Sequence, residues 1–299
     1  MPELLSLLGS TVALRPYVFV FLAVYVATGS VHMGLRRTLA YIPLGYGLAW
    51  ASEFASINYG FPYGDYYYLH DTVGRELWVF GVPFMDSLSY VFLSYSSYAM
   101  AVFLLSPVRF GTHGCIVLET RPLRRSWSTL LLGAFLFVLL DVIIDPVALQ
   151  GYRWFLGQIY GYRNPGVYFG IPMSNFGGWL LVGLLLVAAL QWLDGAPRLE
   201  DPVCIYCRPW PWVCLGGPLL YVGVLAFNLS VTFWIGELLL GTVGLLILFY
   251  TALTAFFFTL YKHKRITSAD VAAHLADFPS SPAAALTVHP PAPEPSEGA

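Results

Sequence analysis

Residues 126–148 read SWSTLLLGAFLFVLLDVIIDPVA, an unbroken apolar stretch that carries two carboxylates, Asp141 and Asp145, near its end. A helix crosses the hydrocarbon core of a bilayer in roughly 20 residues. A carboxylate inside such a stretch is expensive, and its default reading is a functional site. The rest of the chain has the same character. Hydrophobic residues make up 58% of the 299 and charged residues 11%, and mean hydropathy is +0.67, which no soluble domain of this length shows. Two more acids, Glu53 and Asp86, stand in or beside apolar runs of their own.

Working outward by length gives seven candidate spans, at about 16–35, 39–58, 83–106, 126–148, 173–193, 213–234 and 236–261. Gly, Ser and Thr interrupt several of them, which in lipid marks close helix packing more often than a break. The sixth and seventh nearly merge around Gly236 and Glu237. Lys and Arg collect in cytoplasmic loops. With seven spans, eleven of the 15 fall on one side (Arg36, Arg37, Arg109, Arg121, Arg124, Arg125, Arg198, Arg208, Lys262, Lys264, Arg265) and four on the other (Arg15, Arg75, Arg153, Arg163). The expectation is an all-α polytopic protein of the cytoplasmic membrane, with the N-terminus outside and the C-terminus inside. Arg36-Arg37 after the first span fits a retained helix better than a cleaved signal peptide. Residues 1–265 read as one transmembrane domain. Residues 266–299, rich in Ala, Pro and Ser, read as a disordered cytoplasmic tail after at most one short helical turn.

This orientation sets Glu53, Asp86, Asp141, Asp145 and Asn175 in the outer leaflet. Asp141 and Asp145 are four apart and share a helix face; the plain alternative for acids near span ends is that they reach the interface. Phe80-Gly81-Val82-Pro83 recurs as Phe169-Gly170-Ile171-Pro172, with Asp86 or Asn175 three residues past each proline. Each copy follows an outward span carrying an acid and then an aromatic loop, Tyr59 to Tyr68 in the first and Tyr160 to Tyr168 in the second. That pattern predicts a parallel duplication about an axis along the membrane normal, with a site at the repeat interface. The tyrosines fit an interfacial belt; beside buried acids they also offer a surface for a flat apolar ligand and a cushion for a transient cation.

Several chemistries lack their residues. The six histidines never fall at close ligand spacing, which argues against a di-iron oxygenase. No dinucleotide fingerprint or phosphate loop is present. Both lysines, Lys262 and Lys264, lie in the tail region, so no span carries a retinal-binding lysine. Cys204, Cys207 and Cys214 resemble a metal knuckle but have no nearby fourth ligand, and thiols in a cytoplasmic loop stay reduced. His32, alone in its span, reads as a packed residue. What remains is chemistry for carboxylates, an amide and aromatic rings, with no metal or cofactor.

Asp141-Val142-Ile143-Ile144-Asp145-Pro146, then Trp154, then Gly170-Ile171-Pro172-Met173-Ser174-Asn175-Phe176-Gly177-Gly178-Trp179, resembles the signature of the integral-membrane carotenoid biosynthesis family. Glu53 with Pro62-Tyr63-Gly64 and Gly81-Val82-Pro83 is similar to that family's first motif, and the likeness covers roughly residues 45–190. Characterised members are carotenoid 1,2-hydratases acting on acyclic end groups such as those of lycopene or gamma-carotene. The resemblance implies a cofactor-independent hydro-lyase whose partners are the carotenoid, water and membrane lipid. Protonation of the terminal alkene gives a tertiary cation, which water then captures. Asp141 or Asp145 would deliver the proton, Glu53 or the remaining aspartate would handle water, and Asn175 would fix it. Asp86 joins this set. Tyr63, Tyr67, Trp154 and Trp179 would line the entrance or flank the polyene. Two rivals are an aspartate-rich membrane prenyltransferase, which needs magnesium and phosphate-binding basic residues, and a proton-coupled transporter or carotenoid-binding protein that leaves its ligand unchanged.

Overall fold

The computed structural model describes residues 2–111, 114–199, 212–263, 265–279 and 281–285. Its helices are α1 (Pro2–Leu14), α2 (Pro16–His32), α3 (Leu35–Tyr59), α4 (Phe84–Leu105), α5 (Arg121–Arg124), α6 (Trp127–Ala148), α7 (Met173–Asp194), α8 (Gly216–Trp234), α9 (Leu238–His263) and α10 (Ser268–Asp277). Short strands β1 (Tyr66–Tyr68), β2 (Trp78–Val79), β3 (Val82–Pro83), β4 (Val108–Gly111), β5 (Gly114–Val117) and β6 (Tyr160–Tyr162) lie in the connections. The protein is a multi-pass helical membrane protein, and its seven long helices stand at the seven expected positions. Five are by themselves long and apolar enough to cross a membrane, or six when the bent pair α1 and α2 counts as one span. Glycine at Gly236, with φ of 80°, separates α8 from α9.

α4 lies at the centre and is buried along most of its length, whereas α9 packs against the bundle on little of its surface. Buried serines would be costly on so central a helix if left unpaired. Ser94 and Ser97 instead return their hydroxyls to carbonyls one turn back, Tyr90 O and Leu93 O. Around α4, α3, α6 and α7 complete a four-helix core: α3 packs on α4 and α7, and α6 packs on α4 and α7. That arrangement is unchanged when α3 and α4 exchange places with α6 and α7, as an axis along the bundle requires.

The connections obey the same symmetry. Phe80-Gly81 and Phe169-Gly170 each form the two-residue turn of a tight hairpin, with φ of 49° and 83° in the first and 48° and 88° in the second. Val79 pairs with Val82, and Tyr168 bridges Ile171. Positive φ at both central residues is the hairpin geometry that matches strand twist. Pro83 and Pro172 follow as the N-caps of α4 and α7. The aromatic loops also meet, because β1 and β6 run antiparallel with Tyr66 opposite Tyr162, Tyr67 opposite Gly161 and Tyr68 opposite Tyr160.

Two ends of the bundle are tied down by buried charge. Pro16 breaks the first apolar run, and α1 turns 93° from α2. At that elbow Arg15 holds Glu76 bidentately, both contacts at 3.1 Å, and also donates to Leu156 O, so one guanidinium joins the elbow to both aromatic loops. At the other end Arg124 binds Glu119 at 2.8 Å and Asp194 at 3.2 Å, and His32 meets Glu119 at 3.2 Å. Paired this way, burial of these charges is tolerated; breaking one pair typically costs about 3–5 kcal/mol.

The expected disordered tail is corrected over residues 268–279 and 281–285. Thr267 and Asp270 cap α10 reciprocally, Val271 and Ala283 pack with Ile116 and Leu118, and His274 sets Nδ1 2.7 Å from Glu119 O and Nε2 2.8 Å from Ser281 Oγ. The tail composition hid a short capped helix with one apolar face. Residues 286–299 lie outside the described residues, as do Cys204 and Cys207, so the metal-knuckle reading is not addressed; Cys214 donates its thiol to Cys115 O at 3.2 Å.

Candidate active site

α3 and α6 approach the loop end of the bundle with their C-terminal turns, and α4 and α7 leave it with their first turns. Glu53 lies six residues before the end of α3 and Asp141 seven before the end of α6, while Asp86 and Asn175 are the third residues of α4 and α7. Four chain segments thus deliver polar groups to the loop end of the bundle. All of them, with Asp145, line a single cavity of about 980 Å³ of empty space, its open mouth included.

Asn175 Nδ2 donates to Asp141 Oδ2 at 2.8 Å and to Asp145 Oδ2 at 3.1 Å. Tyr162 donates to Asp145 Oδ2 at 2.7 Å, and Tyr160 donates to Asp145 Oδ1. Asp145 therefore has donors on both oxygens, whereas Asp141 accepts one. In the other half of the repeat Ser87 donates to Glu53, and Tyr68 donates to Asp86 Oδ2 at 2.7 Å. Burial first, and then the neighbouring Asp86 and Glu53, raise the Tyr68 phenol well above its ordinary range. Burial and Asp145 do the same to Tyr162. Both loop phenols stay protonated and serve as donors.

Rings build the remaining wall. Trp179 stacks on Tyr90 with centroids 4.9 Å apart and planes at 19°, and lies 4.7 Å from Phe137. Gly178 lets α7 come this close: an added Cβ would stand 2.6 Å from the Tyr63 ring and 2.8 Å from the Pro62 backbone. Tyr63 shares a 2.9 Å hydrogen bond with Ser52. Trp154 Nε1 donates to Val147 O at 3.1 Å, which leaves its ring to the cavity. The cavity continues between α2 and α8, where Tyr17 stacks on Phe227 at 5.4 Å and Phe21 stands 5.6 Å from the same ring.

Eight of the nine site residues expected from sequence (Glu53, Asp86, Asp141, Asp145, Asn175, Tyr63, Trp154 and Trp179) line this cavity. Tyr67 does not. Strand alternation points Tyr66 and Tyr68 inward and leaves Tyr67 40% exposed, with the Arg163 guanidinium 6.0 Å above its ring. Tyr66, Tyr68, Tyr90, Tyr160, Tyr162 and Asn228 also line the cavity without having been singled out. The alternation of Tyr160-Gly161-Tyr162 carries a signal for the β6 tyrosines, and the rule that flagged the carboxylates carries one for Asn228.

Among the described residues no three His, Cys, Asp or Glu side chains gather as a metal-ligand set. Among the described residues no Arg or Lys lines the cavity. At this end Arg15 is bound to Glu76, and Arg153 is bound to Glu237.

A polytopic helical membrane protein with a buried carboxylate and amide centre, set in an aromatic cavity at a duplicated four-helix core, is the class that fold and site define. The sequence profile of the carotenoid biosynthesis protein family matches residues 10–252, and the chain belongs to that family. No curated protein and no solved structure matches it. The matched region runs well past residues 45–190, where the motifs lie, and takes in α2 and α8, the helices of the aromatic arm. The protein has a role in carotenoid biosynthesis.

Proposed function

We infer that the protein is a carotenoid hydratase of the cytoplasmic membrane, adding water across the terminal 1,2 double bond of an acyclic end group of the lycopene or gamma-carotene type. The observation that carries this reading is one cavity in which carboxylates joined by an amide adjoin an aromatic wall that holds no basic residue among the described residues. A polyene is a flat apolar ligand suited to such a wall, and a cation forming at its end is stabilised by carboxylates and ring faces.

Asp141, with a single donor on Oδ2, keeps an oxygen free to carry the proton, and gives it to the less substituted alkene carbon. Asp145, with donors on both oxygens, stands as the fixed carboxylate facing the tertiary cation. Water forms the new carbon–oxygen bond, and the proton that it sheds returns to the carboxylate set through Glu53 or Asp141. Asp86, in the first turn of α4, faces the same cavity as Glu53. Asn175 positions the two aspartates, because its N–H groups are engaged by them.

Diphosphate chemistry finds no support in a wall without basic residues, and magnesium-independent turnover is expected. Expression in a lycopene-accumulating bacterium, with mass spectrometry of the extracted pigments, tests the reading. A more polar pigment heavier by one water per reacted end is the expected product. Unchanged pigment with the protein folded in the membrane, for lycopene and for other acyclic carotenes, overturns it.

A further inference from the structure

The middle of α8 carries one amide in an apolar run, Leu225-Ala226-Phe227-Asn228-Leu229. Asn228 is only 6% exposed. Its Nδ2 donates to Val224 O, one turn back, at 2.9 Å. Its Oδ1 has no hydrogen-bond partner among the described residues, and the side chain lines the cavity of the carboxylates. A polar atom left in this state inside a spanning helix is costly unless something in the cavity meets it.

Depth says what it could meet. Asn228 lies six residues before the end of α8, Glu53 six before the end of α3 and Asp141 seven before the end of α6, and all three helices run toward the same end. At 1.5 Å per residue these groups share a level about 9–10 Å below the helix ends. Asp145 and the first-turn residues Asp86 and Asn175 sit nearer the loops. The lower level therefore holds two carboxylates and one amide.

Water that attacks a carbocation needs an acceptor for its hydrogens while its lone pair faces carbon. A carboxylate in that position competes as a base, taking a proton from the cation and restoring the alkene. A neutral amide oxygen accepts the hydrogen bond without doing so. Asn175 stands nearer the loops with its Nδ2 on two aspartates, whereas Asn228 presents its amide at the level of Glu53 and Asp141. We propose that Asn228 holds the water that adds to the substrate cation, its Oδ1 accepting one of that water's hydrogens from the α8 wall.

This role rests on the hydratase reading. The test compares wild type, Asn228→Leu and Asn228→Gln in deuterated water with an acyclic carotene. Hydrated product, deuterium in recovered substrate and bound pigment are each measured. Asn228→Leu is expected to bind pigment and still to exchange deuterium into the substrate, because the acids protonate the alkene and the cation collapses back. Hydration should fall about 100-fold, the scale of losing a group that positions a reactant. Asn228→Gln, which keeps the amide, should recover part of it. Hydration by Asn228→Leu at the wild-type rate overturns the proposal, as does loss of exchange and pigment binding together with hydration, which marks a structural role. A wild type that yields no hydrated product overturns the hydratase reading itself, and the role of Asn228 with it.

Discussion

Asn175 joins Asp141 and Asp145, donating to one at 2.8 Å and to the other at 3.1 Å across the α6–α7 contact. The amide holds the proton-carrying Asp141 and the carboxylate of Asp145 in one small volume. Asn175→Leu removes both bonds, of which the one to the charged Asp145 is worth about 1.5–3 kcal/mol. Turnover should fall at least about 100-fold, with a lowered melting temperature in detergent. Near-normal turnover of the folded variant would contradict the bridge.

The two halves of the repeat differ in how many donors back each acid. Tyr68 is the side chain that hydrogen-bonds Asp86, whereas Asp145 keeps Tyr160 and Asn175 when Tyr162 is lost. Tyr68→Phe should therefore destabilise more than Tyr162→Phe, by about 1–2 kcal/mol. Thermal unfolding of the two variants side by side decides it, and equal losses would show that donor count does not govern this site.

Gly81 and Gly170 occupy matched turns with φ of 83° and 88°. Alanine at either position meets an unfavourable backbone region and should cost about 1 kcal/mol or more. Because the turns are alike, the losses should be alike. A large loss at one and none at the other would break the equivalence of the two hairpins.

The docking of α10 should depend on pH. Burial lowers the pKa of His274 from its ordinary value of 6.5. A base whose folded value lies below its unfolded value contributes stability that is present above the unfolded pKa and fades as pH falls through the folded one. Burial would raise the neighbouring Glu119, but Arg124 and His32 outweigh it and hold that carboxyl well below its usual range. Glu119 therefore stays charged in this window. The protection of α10 amides from hydrogen exchange, taken relative to the intrinsic rate at each pH, should fall as pH drops below 6.5, and His274→Gln should flatten that response. A pH-independent wild type would contradict it.

Much of this was legible in the chain. Apolar length alone located the long helices, and the Phe-Gly-Val-Pro and Phe-Gly-Ile-Pro repeats encoded matched turns because each places a glycine at the second positive-φ position of a two-residue hairpin. Buried carboxylates announced themselves by their cost. Tyr67 stands outside the cavity lining, and three consecutive tyrosines carry no alternation of their own to show it; pairing with β6 decides which ones face inward. α10 hid inside a composition that reads as disorder, and its stability comes from His274 and Val271 reaching residues more than 150 positions away. Asn228 obeyed the rule that exposed the acids, but an amide is a quieter signal than a charge.

Incubation of the purified protein with lycopene in oxygen-18-labelled water tests the central claim most directly. Acid-catalysed hydration predicts a tertiary alcohol whose oxygen carries the label, and no such product from folded Asp141→Asn. An unlabelled hydroxyl drawn from dioxygen, or undiminished product from Asp141→Asn, would contradict it.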